Sequence, residues 1–161
     1  IEGIHDALIA KQLRPDEHYV DAAYVDALLL VSEQKKGIET VGPARVDPSW
    51  QKRTAGAYSI DQFKIDWEKE QATCPQGKTT FSWRQYVRPS GDPFLLARFH
   101  HRDCQDCDVR HLCTKARFSE GRTLHLQPRK DYEALAAARA MKHSSAGQQH
   151  NKCRAGIEGK K

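Results

Sequence analysis

The hydrophobic period of this chain changes twice, and that change limits the available folds more than any other feature. Ile4, Leu8, Ile9 and Leu13 recur at helical spacing and Pro15 closes the segment, so an amphipathic helix is predicted over residues 2–14. His18 to Val20 reads as a short strand. Ala22 to Lys36 is rich in Ala and Leu and stops at Gly37, as helices do, and Ile38 to Val41 resumes as strand. Strand, helix, strand in that order is usually solved by a parallel pair with the helix laid across it. Asp21 then falls at the carboxyl end of the first strand, the edge where open α/β sheets place ligands.

Pro43 to Tyr58 has prolines, glycines and charges without periodicity and is predicted to be a connecting loop. After it the period becomes two. Phe63, Ile65 and Trp67 alternate with polar residues, Phe81 and Trp83 begin a second run, and a turn at Pro89 to Pro93 precedes Phe94 to Phe99. These are expected to be antiparallel strands of an insertion, joined by one more short strand at Leu124 and Leu126. The period returns to helical after Pro128, from about Arg129 to His143, with Asp131 and Glu133 suiting the helix start and Lys142 and His143 its end. The pattern predicts an α/β fold in three stretches: 1–45, a β-rich insertion over 46–128, and a helical segment over 129–161. Nothing repeats at a fixed period, which argues against solenoids.

A chain of 161 residues can bury one sizeable core. It has no apolar run of the roughly twenty residues that span a bilayer, and its start lacks the pattern of a secretory signal. A cytoplasmic setting is therefore expected, and a first residue other than methionine suggests a fragment. The net charge of +5 is uneven, because residues 102–161 carry 13 Lys plus Arg against 7 Asp plus Glu. Such a skew suits phosphates, but on charge alone a solvated basic surface is the favoured reading, and the skew becomes useful only beside the acids.

Cys74, the pair Cys104 and Cys107, and Cys113 make a set of four thiols. Two cysteines separated by two residues wrap a cation well, so a closed, structural zinc site is expected, with His111 as a substitute ligand. Inert thiols are the bland alternative, and the lack of a secretory signal counts against disulfides. Cys153 reads as a lone residue. Trp50, Trp67 and Trp83 could stack on bases, but in an insertion of this size they are expected in its core.

Two acidic motifs frame this middle: Asp21-Ala22-Ala23-Tyr24, and Arg154 followed four residues later by Glu158. They resemble the second and third acids of DDE-type transposases of bacterial insertion sequences. The second acid of that family follows a strand as Asp-x-Gly-Tyr, and Ala23 stands here in place of glycine. The third belongs to Tyr-x-x-Arg-x-x-x-Glu, and Asn151 replaces the tyrosine. The resemblance implies an RNase H-like fold, with the β-rich insertion ahead of the helix that bears the third acid. It also implies that Asp21 and Glu158 ligate Mg²⁺ or Mn²⁺, that Arg154 holds a phosphate or orients the acid, and that the substrate is DNA, at element ends and at a target. The first acid would lie upstream of Ile1 and a trailing lysine beyond Lys161, so the fragment is expected to be inactive alone, its full-length parent a homo-oligomer. Without the resemblance, an aspartate after a strand is usually a cap and a terminal glutamate a solvated side chain. Asp26 and Asp66 are rival acids, expected to be structural. A zinc-stabilised module that binds DNA or a partner, without catalysis, remains the alternative.

Overall fold

The computed structural model describes residues 1–44, 47–141 and 144. The chain divides into two compact units, one of Ile1–Val46 with Lys130–Lys161 and the other of Asp47–Arg129.

The first unit opens with helix α1 (Glu2–Ala10), strand β1 (Glu17–Tyr19), helix α2 (Ala27–Lys35) and strand β2 (Glu39–Val41). β1 and β2 pair in parallel with His18 opposite Thr40, and the Val20 amide extends the ladder by donating to the Val41 carbonyl at 2.9 Å. α2 starts five residues later than the sequence suggests. The Asp26 carboxylate accepts the Leu29 amide at 2.8 Å and fixes the N-cap there, while the Tyr24 amide closes a turn on the Asp21 carbonyl at 2.9 Å. Val20, Val25 and Ala44 form the buried cluster, with Ile1 and Leu30 against it.

α1 departs from expectation. Its Ile4 and the following Leu13 are exposed, each at 63 %, and the residue it buries is His5. The His5 Nδ1 bonds the Glu33 carboxylate, which is wholly buried on α2. Lys36 Nζ completes the group, 3.3 Å from Glu33 and 2.7 Å from Asp6. A carboxylate removed from water needs such partners, and they hold α1 where an apolar stripe was predicted to.

The second unit begins inside the predicted loop with helix α3 (Trp50–Arg53) and a 3₁₀ turn at Ile60–Gln62, which is closed by a reciprocal cap between Ser59 and Gln62. Strands β3 (Lys64–Asp66) and β4 (Gln71–Thr73) form an antiparallel hairpin. β5 (Thr80–Val87) and β6 (Pro93–Phe99) follow, then the short helices α4 (His101–Gln105) and α5 (Arg110–Cys113), and β7 (Thr123–Leu126). The three long strands form one antiparallel sheet in the order β5-β6-β7. One of its faces is the core: Trp83, Ala97 and Leu124 stand in register, Phe99 meets Phe63, and Trp67 meets Trp83 edge to face at 5.6 Å. Leu124 and Leu126 are each 1 % exposed, and burial of a leucine contributes about 2 kcal/mol.

The last helix, α6 (Arg129–Met141), belongs to the first unit from Lys130 on, and its Ala138 packs against the Val20 cluster. Among the described residues no helix is long and apolar enough to cross a membrane.

Candidate active site and thiol centre

Asp21 lies just past β1 at the carboxyl edge of the parallel pair, exposed, on the turn that precedes α2. Its position comes from local chemistry: the ladder ends at Val20, whose side chain is buried, and the turn lifts the next residue to the surface. An exposed carboxylate at such an edge offers hard oxygen donors to a divalent cation. Its expected partners, Arg154 and Glu158, lie outside the described residues, as do Asn151 and Cys153. The rival acids have structural roles. Asp26 caps α2, and Asp66 accepts the Lys69 amide at 2.9 Å, a bond that holds its carboxyl below the usual range.

In the second unit, Cys74, Cys104, Cys107 and Cys113 line one cavity of about 500 Å³ together with Phe63 and Arg122. They arrive from three places. Cys74 follows β4 in a tight turn, where the Gly77 amide donates to the Cys74 carbonyl at 2.9 Å and the Lys78 amide to its Sγ at 3.3 Å. Gly77 has φ of 78°, which a side chain would disfavour. Cys104 and Cys107 come from α4 and the bend after it, and Cys113 ends α5. α5 is pinned by the Tyr58 amide on the Leu112 carbonyl at 2.9 Å and by Gln51 on the Cys113 carbonyl at 3.2 Å.

The Arg122 amide donates to the Cys104 Sγ at 3.4 Å. A glycine makes this approach possible, since a Cβ at Gly121 would stand 2.0 Å from the Phe99 carbonyl oxygen. The Arg122 guanidinium is itself partly buried, 5.9 Å from the Phe63 ring, and its Nε has no hydrogen-bond partner among the described residues. Burial pushes the Cys113 thiol up to about 11, so in the metal-free chain it is protonated at neutral pH. Among the described residues no group of three or more His, Cys, Asp or Glu side chains is drawn together closely enough to hold a metal ion. His111 is exposed and does not line the cavity.

The sequence reading missed Lys78 and Arg122, whose amides meet the thiols, and the buried network of His5, Glu33 and Lys36. The first two had a local signal, a glycine directly before each residue. The network had none, because 28 residues separate His5 from Glu33.

Small sheets, one of them a parallel pair with an aspartate at its carboxyl edge, and a β-rich second unit define a mixed α/β protein of two units. A family model described as the transposase DDE domain matches residues 73–160, more than half of the chain, and the chain belongs to that family. The matched span includes Glu158 and the four cysteines, and Asp21 lies ahead of it. No curated protein and no solved structure matched the chain.

Proposed function

We propose that this chain is part of a DDE transposase of a bacterial insertion sequence, which cuts and rejoins DNA strands at element ends and at a target. Family membership carries this reading, and the placement of Asp21 at the carboxyl edge of β1 supports it. Asp21 and Glu158 would hold the catalytic Mg²⁺ or Mn²⁺, and Arg154, four residues before Glu158, would face a phosphate oxygen of the substrate. When bound, the cation activates a water or 3′-hydroxyl for attack and offsets charge on the leaving oxygen. The three segments of the sequence reading stand within this proposal as an RNase H-like segment, an insertion, and a segment bearing the third acid. The full-length protein would act in the cytoplasm on DNA, as a homo-oligomer.

We propose the cysteines as ligands of a structural Zn²⁺, which would have to draw together thiols that are not gathered into a metal-holding group among the described residues. Four cysteines line one cavity, two already accept backbone amides, and the partly buried Arg122 would offset thiolate charge. Cys74, Cys104, Cys107 and Cys113 would together hold the ion, which would stabilise this unit and take no part in catalysis. A second reading, favoured by the confinement of these thiols to one compact unit, is a zinc-stabilised module that binds DNA without cutting it.

Strand cleavage separates the two readings. A full-length transposase containing these residues should lose Mg²⁺-dependent cutting by more than a hundredfold on either Asp21→Asn or Glu158→Gln, with DNA affinity unchanged. Cleavage that survives both substitutions would leave the module reading standing. A polypeptide of these 161 residues, with two of the three acids, should not cut at all, and metal-dependent cutting by it would refute that expectation.

A further inference from the structure

One face of the β5-β6-β7 sheet is core, and the other carries a different chemistry. Along it stand Ser82, Arg84 and Tyr86 on β5, Phe94, Leu96 and Arg98 on β6, and Thr123 and His125 on β7, in the register Arg84 to Leu96 to His125. The three strands contain no aspartate or glutamate. Arg84, Arg88, Arg98 and His125 are exposed, and among the described residues none of the three arginines is paired with a carboxylate. Three rings lie in sequence across the strands: Tyr86 stacks on Phe94 at 5.6 Å and 26°, and Phe94 lies parallel to His125 at 6.3 Å and 4°. The Arg88 guanidinium sits over Phe94 at 5.1 Å. Arg88, Arg122 and Arg98 all add to burial in holding the His125 imidazole below its ordinary value, so the local potential is positive.

We infer that this face is a platform for single-stranded DNA, with bases stacked on Tyr86 and His125, the two ends of the ring series that Phe94 joins, and phosphates held by Arg84, Arg88 and Arg98. An uncompensated row of guanidiniums selects a polyanion. Flat rings on an open sheet select one whose bases are unstacked, because a duplex hides its base faces. The inference rests on the reading of the chain as acting on DNA and locates a contact that cleavage residues do not explain.

Fluorescence anisotropy of the 161-residue chain with a labelled oligothymidine, at several salt concentrations, tests it. The double variant Arg84→Gln/Arg98→Gln removes two exposed, unpaired charges and should weaken binding about tenfold. It should also flatten the log-log salt slope by roughly 1.4, at about 0.7 per phosphate contact on a single strand. His125→Ala should weaken binding about threefold with the slope unchanged, because it removes a ring and not a charge. A control with the same change of charge away from the sheet, Arg53→Gln/Lys64→Gln, should leave affinity within twofold. The platform is overturned if the control weakens binding as much as the sheet variant, if an unlabelled duplex competes as well as the single strand, or if the single strand is not bound. In that last case, cleavage that still depends on Asp21 would leave the transposase reading intact. Cleavage independent of Asp21 and Glu158, with single-strand binding retained, would sink that reading and spare the platform.

Discussion

Glu33 shows how much one residue can decide in the first unit. It is wholly buried on α2, and its carboxylate holds His5 and Lys36. Removing one partner of a buried charged group strands the other, at a cost of about 3 to 5 kcal/mol. Glu33→Ala should therefore lower the stability of the first unit by that amount in urea unfolding, and a loss under 1 kcal/mol would show that the pair is ornamental. Acid acts at the neighbouring strand. The His18 imidazole is held below its ordinary value by burial, with the facing His5 adding to the effect and Glu33 opposing it. The unfolded chain therefore takes up this proton first, and stability falls as pH drops through about 6.5. The melting temperature should decline between pH 7.5 and 5.5, and less so in His18→Phe. An equal decline in both would exclude His18 as the cause.

Elements were legible where local chemistry defines them. The parallel pair followed from two short apolar runs and Gly37, and the long strands from alternation about Trp83 and Phe94. Short helices were not. α3, α4 and α5 span four or five residues each, too few for periodicity, and isolated helices of that length do not hold in water. Tertiary bonds such as Gln51 to the Cys113 carbonyl hold them instead. The start of α2 was misplaced because Ala22 and Ala23 favour helix, whereas the Asp26 cap fixes it later. Asp26→Ala should accordingly cost about 1 kcal/mol and Asp26→Asn much less, with neither changing Mn²⁺ affinity. A fall in Mn²⁺ affinity on Asp26→Asn would make it a ligand rather than a cap. For the thiols, the Cys104 and Cys107 pair and its neighbours were visible as a set, but the amides that meet them were not. The chain purified with Zn²⁺ should hold one ion, and Cys74→Ser or Cys113→Ser should lower both zinc content and the unfolding temperature of the second unit. Unchanged stability on chelation would return the cysteines to inert thiols.

At the scale of the molecule, two units interrupt one another in sequence: residues 1–46 join 130–161, and 47–129 intervene. Within the described residues the parallel strand pair falls in the first unit and the antiparallel strands in the second. The proposed site needs acids 137 positions apart in the sequence, Asp21 and Glu158, to meet. Asp21 is placed by the β1 edge, whereas the proposed meeting of two residues so distant would leave no local trace in either motif. Paramagnetic broadening by Mn²⁺ tests that contact most directly. Added Mn²⁺ should broaden the amide NMR signals around both residue 21 and residue 158, and Asp21→Asn should abolish both effects together. Broadening at one position only, or at 158 undiminished by the substitution, would show that the two carboxylates do not share a cation.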